Sequence, residues 1–203
     1  MGWIAVKLMN ARIERMRKRV RSLEQKKYRT TLVPDLQKND NFNNMSWMER
    51  SALLTQQMCK AEQPVITVDE KIVFTRTVPE VPPIWTKEEW EDLRKNYTLH
   101  EFGSISNIAA DWEMVLRDGL GGRKKVAIDS LQKHSDNSAS REFLNCAIDT
   151  IDAVLDLATQ YREAAKEQRR SDIVELLNVV PEHPPQTFHQ ALQLLRFAHA
   201  AIW

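Results

Sequence analysis

Five histidines, two cysteines and a few adjacent acids are the side chains of this 203-residue chain whose types could do chemistry. A metal site needs its ligands at spacings that bring them to one helix face or one turn. His100, His134, His183, His189 and His199 show no HExxH or comparable spacing, and His189 and His199, ten residues apart on one helix, point in well-separated directions. Cys59 and Cys146 belong to no CxxC or Cys/His cluster, so neither a zinc site nor a disulfide framework is indicated. Each reads as a small buried residue rather than a nucleophile, and a reducing, cytoplasmic compartment is expected. Glu88, Glu89, Glu91 and Asp92 suit the start of a helix, where acids complement the macrodipole, better than general acid–base work. There is no GxSxG, P-loop or GxGxxG, which removes the common hydrolase and nucleotide-binding readings. Trp47, Trp85, Trp90 and Trp112 lack an interleaved basic stripe and read as core rather than as base-stacking platforms. What remains is residues 99–108, an irregular polar stretch holding His100, Gly103, Ser104, Ser106 and Asn107. Such segments carry binding groups or hydrogen-bond their own backbone.

The elements that must position these groups are mostly helical. Five glycines against eight prolines and six tryptophans leave few tight turns, while 42% hydrophobic and 28% charged residues fit a soluble globular chain. No apolar run approaches the roughly 18–20 residues of a membrane span. The first eight residues do not make a secretory signal, Gly2 lacks the Ser/Thr of a myristoylation motif, and Met9 is a plausible original start. Residues 31–45 read as a loop, and a helix is expected from Ser46, with Trp47, Leu53, Leu54 and Met58 on one face and Pro64 closing it. Residues 65–68 and 71–74, either side of Asp69-Glu70, predict a short β pair. Three prolines in 78–83 make an extended linker. Thr86 and Glu89 form a capping box flanked by the staple pair Trp85 and Trp90, opening a helix to about Asn96. Trp112, Val115, Leu116 and Leu120 predict a short helix ending at Gly121-Gly122. Apolar residues from Phe143 to Ala165 at threes and fours predict a long helix from about Ser138 or Ser140 to Arg170. Ser171 caps another through Leu177, and Thr187 with Gln190 caps a last helix with almost no polar face. Something should cover such a helix, a missing remainder or a partner, and self-association through it is expected.

Net charge is +1, but the first 31 residues carry +8 and the rest −7. Within that basic stretch Ile13, Met16, Val20 and Leu23 form an amphipathic stripe, which predicts a helix packed by one face and cationic on the other. It could dock on the acidic body or meet an anionic partner.

Four strings in register carry a family resemblance. Residues 181–199, PEHPPQTFHQALQLLRFAH, resemble the vP..pP.TF.EALQ..WF.H signature of glycyl radical enzymes of the pyruvate formate-lyase type. Residues 66–76, ITVDEKIVFTR, are similar to their I..dElivG.R segment, residues 111–120 to PDY..vl..GL, and residues 10–17 to the usual opening. The resemblance implies a ten-stranded α/β barrel wrapped by helices. This chain would be its helical N-terminal part: mainly α with one short β pair, comprising a basic amphipathic helix (1–30) and the N-terminal part of the enzyme domain (31–203). It also implies lyase, dehydratase or formate C-acetyltransferase-like chemistry on a small organic substrate in an anaerobic cytoplasm. The cofactor would be a protein glycyl radical installed by a radical SAM activating enzyme. Neither the radical-glycine loop nor the thiyl-cysteine motif is recognisable, so no catalytic residue is assigned and the chain alone is expected to be inert. Expected partners are the missing barrel portion or a separately encoded half, the activase and a second copy, but not membrane or nucleic acid. Ser106 and Asn107 are the candidate substrate-binding residues: Asn107 stands four residues before Asp111, where the dehydratase-like branch carries a pocket histidine. An amide there can hydrogen-bond a hydroxyl but cannot relay a proton near neutral pH. The competing expectation is a noncatalytic helical protein binding a protein or an anionic surface.

Overall fold

The computed structural model describes residues 11–96, 110–134 and 136–200. Its elements are α1 (Ala11–Arg21), α2 (Trp47–Ala61), α3 (Lys87–Lys95), α4 (Trp112–Lys133), α5 (Ser138–Glu167), α6 (Ser171–Leu177) and α7 (Phe188–Ala200), with short 3₁₀ turns between α1 and α2. The spine is α5, whose 30 residues span about 45 Å. It opens with the Asn137 side chain accepting from the Ser140 amide, and packs against α2, α4, α6 and α7. Its period of threes and fours puts Ala153, Val154, Leu157, Ala158, Tyr161 and Ala165 on one buried stripe, joined in the core by Phe74, Ile173, Leu177, Val180, Leu194 and Phe197.

Local signals set the helix starts. The Thr86 hydroxyl accepts from the Glu89 amide while Glu89 accepts from the Thr86 amide, and the Trp85 and Trp90 rings stack at 5.3 Å. Ser46 and Glu49 make a second complete box on α2. At α7 the box is modified: Thr187 accepts from the Gln190 amide, but Gln190 reaches the Gln186 amide. Buried Arg50 then ties these parts together, donating to Phe42 O (3.0 Å), Ile84 O (3.2 Å) and the Glu89 carboxylate (2.6 Å). That ion pair and the cap hold Glu89 below the usual carboxylate range.

Three expectations are corrected. No strand occurs among the described residues, so the β pair is absent. Residues 67–70 do turn, with the Glu70 amide donating to Thr67 O, but the two arms give their hydrogen bonds to helix side chains instead of to each other. Second, α4 does not stop at Gly121-Gly122. Its break is at Gly119 (φ 67°, ψ 171°), after which the helix resumes because the Leu120 and Gly121 amides donate to Pro181 O and Glu182 O at 2.9 and 2.8 Å. Those carbonyls satisfy amides that a restarting helix leaves orphaned. A Cβ on Gly119 would lie 2.6 Å from Glu182 O, so both the backbone angle and the close approach require glycine. Third, α1 buries no residue, and Val20 of its apolar stripe is 65% exposed. The helix is held by guanidiniums: Arg12 donates to Asp69 O, Arg15 grips the Asp69 carboxylate through two nitrogens, and Arg19 pairs with Asp69 and Glu24.

Candidate functional site

The most elaborate polar construction is the wall formed by residues 62–78. An extended segment without a strand partner must still satisfy its backbone groups, and here side chains from distant helices do so. The Gln193 amide, fully buried on α7, acts as a surrogate strand: its Oε1 accepts from Val73 N (2.8 Å) and its Nε2 donates to Val73 O (3.0 Å). Tyr161 on α5 accepts from Thr75 N through its hydroxyl, and burial pushes its phenol well above the ordinary range. Glu62, at the end of α2, accepts from Thr77 N and Thr77 Oγ1, each at 2.6 Å, and from Val78 N. The His189 ring nitrogen donates to Lys71 O. Arg170 clamps the 67–70 turn, donating to Thr67 O (3.0 Å) and Glu70 O (2.6 Å) and holding Asp172 through two nitrogens. Asp172 also receives Lys71, and these cations keep it far below the usual carboxylate range, Arg170 contributing most.

At the centre of the wall stands Phe74, with φ 108°, a backbone region that side chains rarely adopt and that costs on the order of 1–3 kcal/mol. Its ring enters the core against Tyr161 (5.9 Å) and Phe197 (6.1 Å), while its carbonyl accepts from Arg196 Nε (3.1 Å) and Nη2 (2.8 Å). The Arg196 guanidinium also lies 5.4 Å from the Phe74 ring centre. Set against the strings quoted above, Phe74 falls where the pattern has glycine and Arg196 where it has tryptophan. The two departures touch each other.

Outside this wall lies a cleft of about 430 Å³ between α1, the turn after it, residues 67–76 and α7. Four arginines line it, Arg19, Arg29, Arg76 and Arg196, with Glu24 and Glu70. The acids are already engaged: Glu24 by Lys27 and Arg19, Glu70 by Thr67 N and Thr75 Oγ1.

Ser106 and Asn107 lie outside the described residues, as does His100; Asp111 beyond them caps α4 through the Met114 amide at 3.0 Å. The structure does not bring the two cysteines together as a reactive pair: Cys59 is buried on α2, its thiol pushed up to about 12 by burial and the charges of Glu62 and Asp156, and Cys146 is raised mainly by desolvation. Such thiols stay protonated and are poor nucleophiles near neutral pH. No group of metal-ligating side chains occurs among the described residues. No helix among them is long and apolar enough to cross a membrane. Sequence reasoning missed Gln193, Arg170 and Arg196; the one usable signal was a glutamine within the apolar face of α7, which burial obliges to find partners.

A helical shell that pins an extended segment by side chains defines the class of structure, and comparison with known proteins defines the family. The pyruvate formate lyase-like family model matches residues 84–203, and the chain belongs to that family. The B12-independent glycerol dehydratase from Clostridium butyricum, in its glycerol-bound form, superposes with a TM-score of 0.65 at 19% identity, over 82% of this chain and 30% of that one. A 1,2-propanediol dehydration protein of Roseburia inulinivorans gives 0.69 at 16% identity, over 95% and 33%. A glycyl radical enzyme from Archaeoglobus fulgidus gives 0.60 at 18%, over 93% and 31%. The chain thus spans about a third of the length of each of these structures. No curated protein matches it in sequence.

Proposed function

We propose that these residues form the outer helical portion of a glycyl radical enzyme of lyase type, which eliminates water from a small polyol in an anaerobic cytoplasm. On this reading the glycyl radical, installed by a radical SAM activating enzyme, and the thiyl cysteine belong to polypeptide beyond these residues, and the 203-residue chain is inert alone. The observation that carries it is the family match over 84–203 together with a fold that accounts for only a third of a dehydratase-sized chain. The residues present do not fit the radical pair. Gly119 and Gly121 are wedged against the 182–184 backbone, and Cys59 is buried on another helix. No step of the radical reaction is therefore assigned to them. Their contribution is mechanical: α5 and α7 hold residues 62–78, and the 181–184 loop holds the α4 restart.

The test is anaerobic activation followed by electron paramagnetic resonance. The chain with S-adenosylmethionine and an activase of this family should show no glycyl doublet, and the doublet should arise when a barrel portion is supplied as a second polypeptide. A glycyl radical on the chain alone would sink the proposal. An added barrel portion that neither co-purifies with the chain nor becomes activated would do the same.

A further inference from the structure

We propose that the outward face of α1 is a docking surface for an anionic lipid bilayer, on which the helix lies flat with Ile13 and Val20 entering the headgroup region and Arg17, Lys18 and Arg21 meeting lipid phosphates. The proposal is independent of the lyase reading. α1 contributes nothing to the core: it buries no residue, and its inward edge is attached by the grip of Arg12, Arg15 and Arg19 on Asp69. That attachment uses one face, since positions 12, 15 and 19 are spaced at threes and fours. Positions 13, 17, 20 and 21 stand at i, i+4, i+7 and i+8 and share another face, where two apolar side chains run beside two cations. Val20 is 65% exposed and Ile13 39%, and Leu23, just beyond the helix, is 48% exposed. The Arg17, Lys18 and Arg21 side chains are exposed and have no ion-pair or hydrogen-bond partner among the described residues, and Glu14 is the one acid on the surface they share.

Exposed apolar side chains and unpaired cations on one helix face favour a lipid surface over other polyanions. Nucleic acid would meet the charge but offers nothing to Val20 and Leu23, and α1 has no aromatic ring to stack on a base. A bilayer interface takes both, the apolar groups entering it while the arginine heads stay at the phosphates. Charge also sets the orientation. The first 31 residues carry +8 and the rest −7, so an anionic surface attracts the α1 side and repels the remaining body. The sequence ahead of α1 adds Trp3, Ile4, Val6 and Leu8, and the binding of surface helices grows with apolar area as well as with charge. The absence of a spanning helix among the described residues, like the lack of a spanning run behind the expectation of no membrane partner, concerns crossing a bilayer and not lying on it.

The experiment sediments the 203-residue chain with large vesicles of phosphatidylcholine and phosphatidylglycerol in equal parts and, separately, with vesicles of phosphatidylcholine alone, at about 0.1 M sodium chloride. Saturable binding to the anionic vesicles is expected, about tenfold or more tighter than to the neutral ones. The double change Arg17→Gln with Arg21→Gln should weaken it about tenfold or more. Lys125→Gln with Lys133→Gln removes the same charge from exposed positions of α4 and should leave binding unchanged. Val20→Ser alters no charge at an exposed position and should weaken vesicle binding severalfold while leaving retention on a duplex DNA fragment as it was. Absence of binding to the anionic vesicles would overturn the proposal. So would an α4 loss as large as the α1 loss, or a Val20→Ser chain that binds vesicles as tightly as the unaltered one, since the effect would then be general surface charge.

Discussion

The start of α3 and the 62–78 wall are both held by hydrogen bonds from side chains to backbone, yet they obtain them from different distances. Thr86 and Glu89 satisfy each other within three residues. Val73 is satisfied from 120 residues away by Gln193, and Phe74 from 122 residues away by Arg196. The first arrangement survives in any context that keeps four residues together. The second exists only after α5 and α7 have packed, and its failure exposes buried amides and carbonyls with nowhere to turn. Distance in sequence therefore sets how much depends on one side chain.

The sharpest way to break the comparison is Gln193→Ala. It strands both Val73 N and Val73 O in the core, and chemical denaturation should show a loss of roughly 2–5 kcal/mol. Gly119→Ala should cost about 2–4 kcal/mol, combining a left-handed backbone with a Cβ driven into the Glu182 carbonyl, and should loosen the α4 restart in hydrogen exchange. Thr86→Ala should cost only about 1 kcal/mol, with fraying confined to α3. If Thr86→Ala proves as costly as Gln193→Ala, the contrast between local and borrowed support is wrong.

A finer test concerns the strain at Phe74. Both small replacements lose the ring, but Phe74→Gly relieves the φ of 108° and Phe74→Ala does not. The glycine variant should be the more stable of the two by about 1 kcal/mol, the reverse of the usual order. The smallest effect is the pH response of α1. Arg15 above all, then Arg19 and Arg12, lower the Asp69 pKa, desolvation opposing them. A depressed folded-state pKa means the attachment is complete above the unfolded aspartate value near 4 and is lost as pH falls toward the folded one. Exchange of the α1 amides should accelerate as pH falls below about 4 while α5 stays protected, and Asp69→Asn should abolish the transition.

How far the fold was legible follows the same division. The long period of α5, the helix start at Ser46, the box at Thr86 and the breaks at Pro64 and Pro181 could be read because each rests on residues a few positions apart. The β-rich composition of 65–74 indicated a strand pair that the structure does not form. Valine and isoleucine favour extended backbone wherever it is paired, and nothing within ten residues shows that Gln193 will do the pairing. The end expected for α4 at Gly121-Gly122 was wrong for a related reason: Gly119, Gly121 and Gly122 are equally permissive, the approach of the 182–184 backbone selected the first as a break, and the helix then resumes to Lys133. Of the candidate site, Ser106 and Asn107 came from an irregular polar stretch and a resemblance, whereas the arginine cleft was invisible, its lining drawn from residues as far apart as 19 and 196.

By itself, then, the sequence determined most of the helices and where most of them begin, because propensity, periodicity and capping are short-range. It also determined the family, through four short strings in a common order. Only the tertiary structure decided how the extended segment is satisfied, which glycine breaks α4, and that α1 is held by arginines rather than by its apolar stripe. Each of those outcomes depends on a group that arrives from elsewhere in the chain, and its arrival is a property of the packed core.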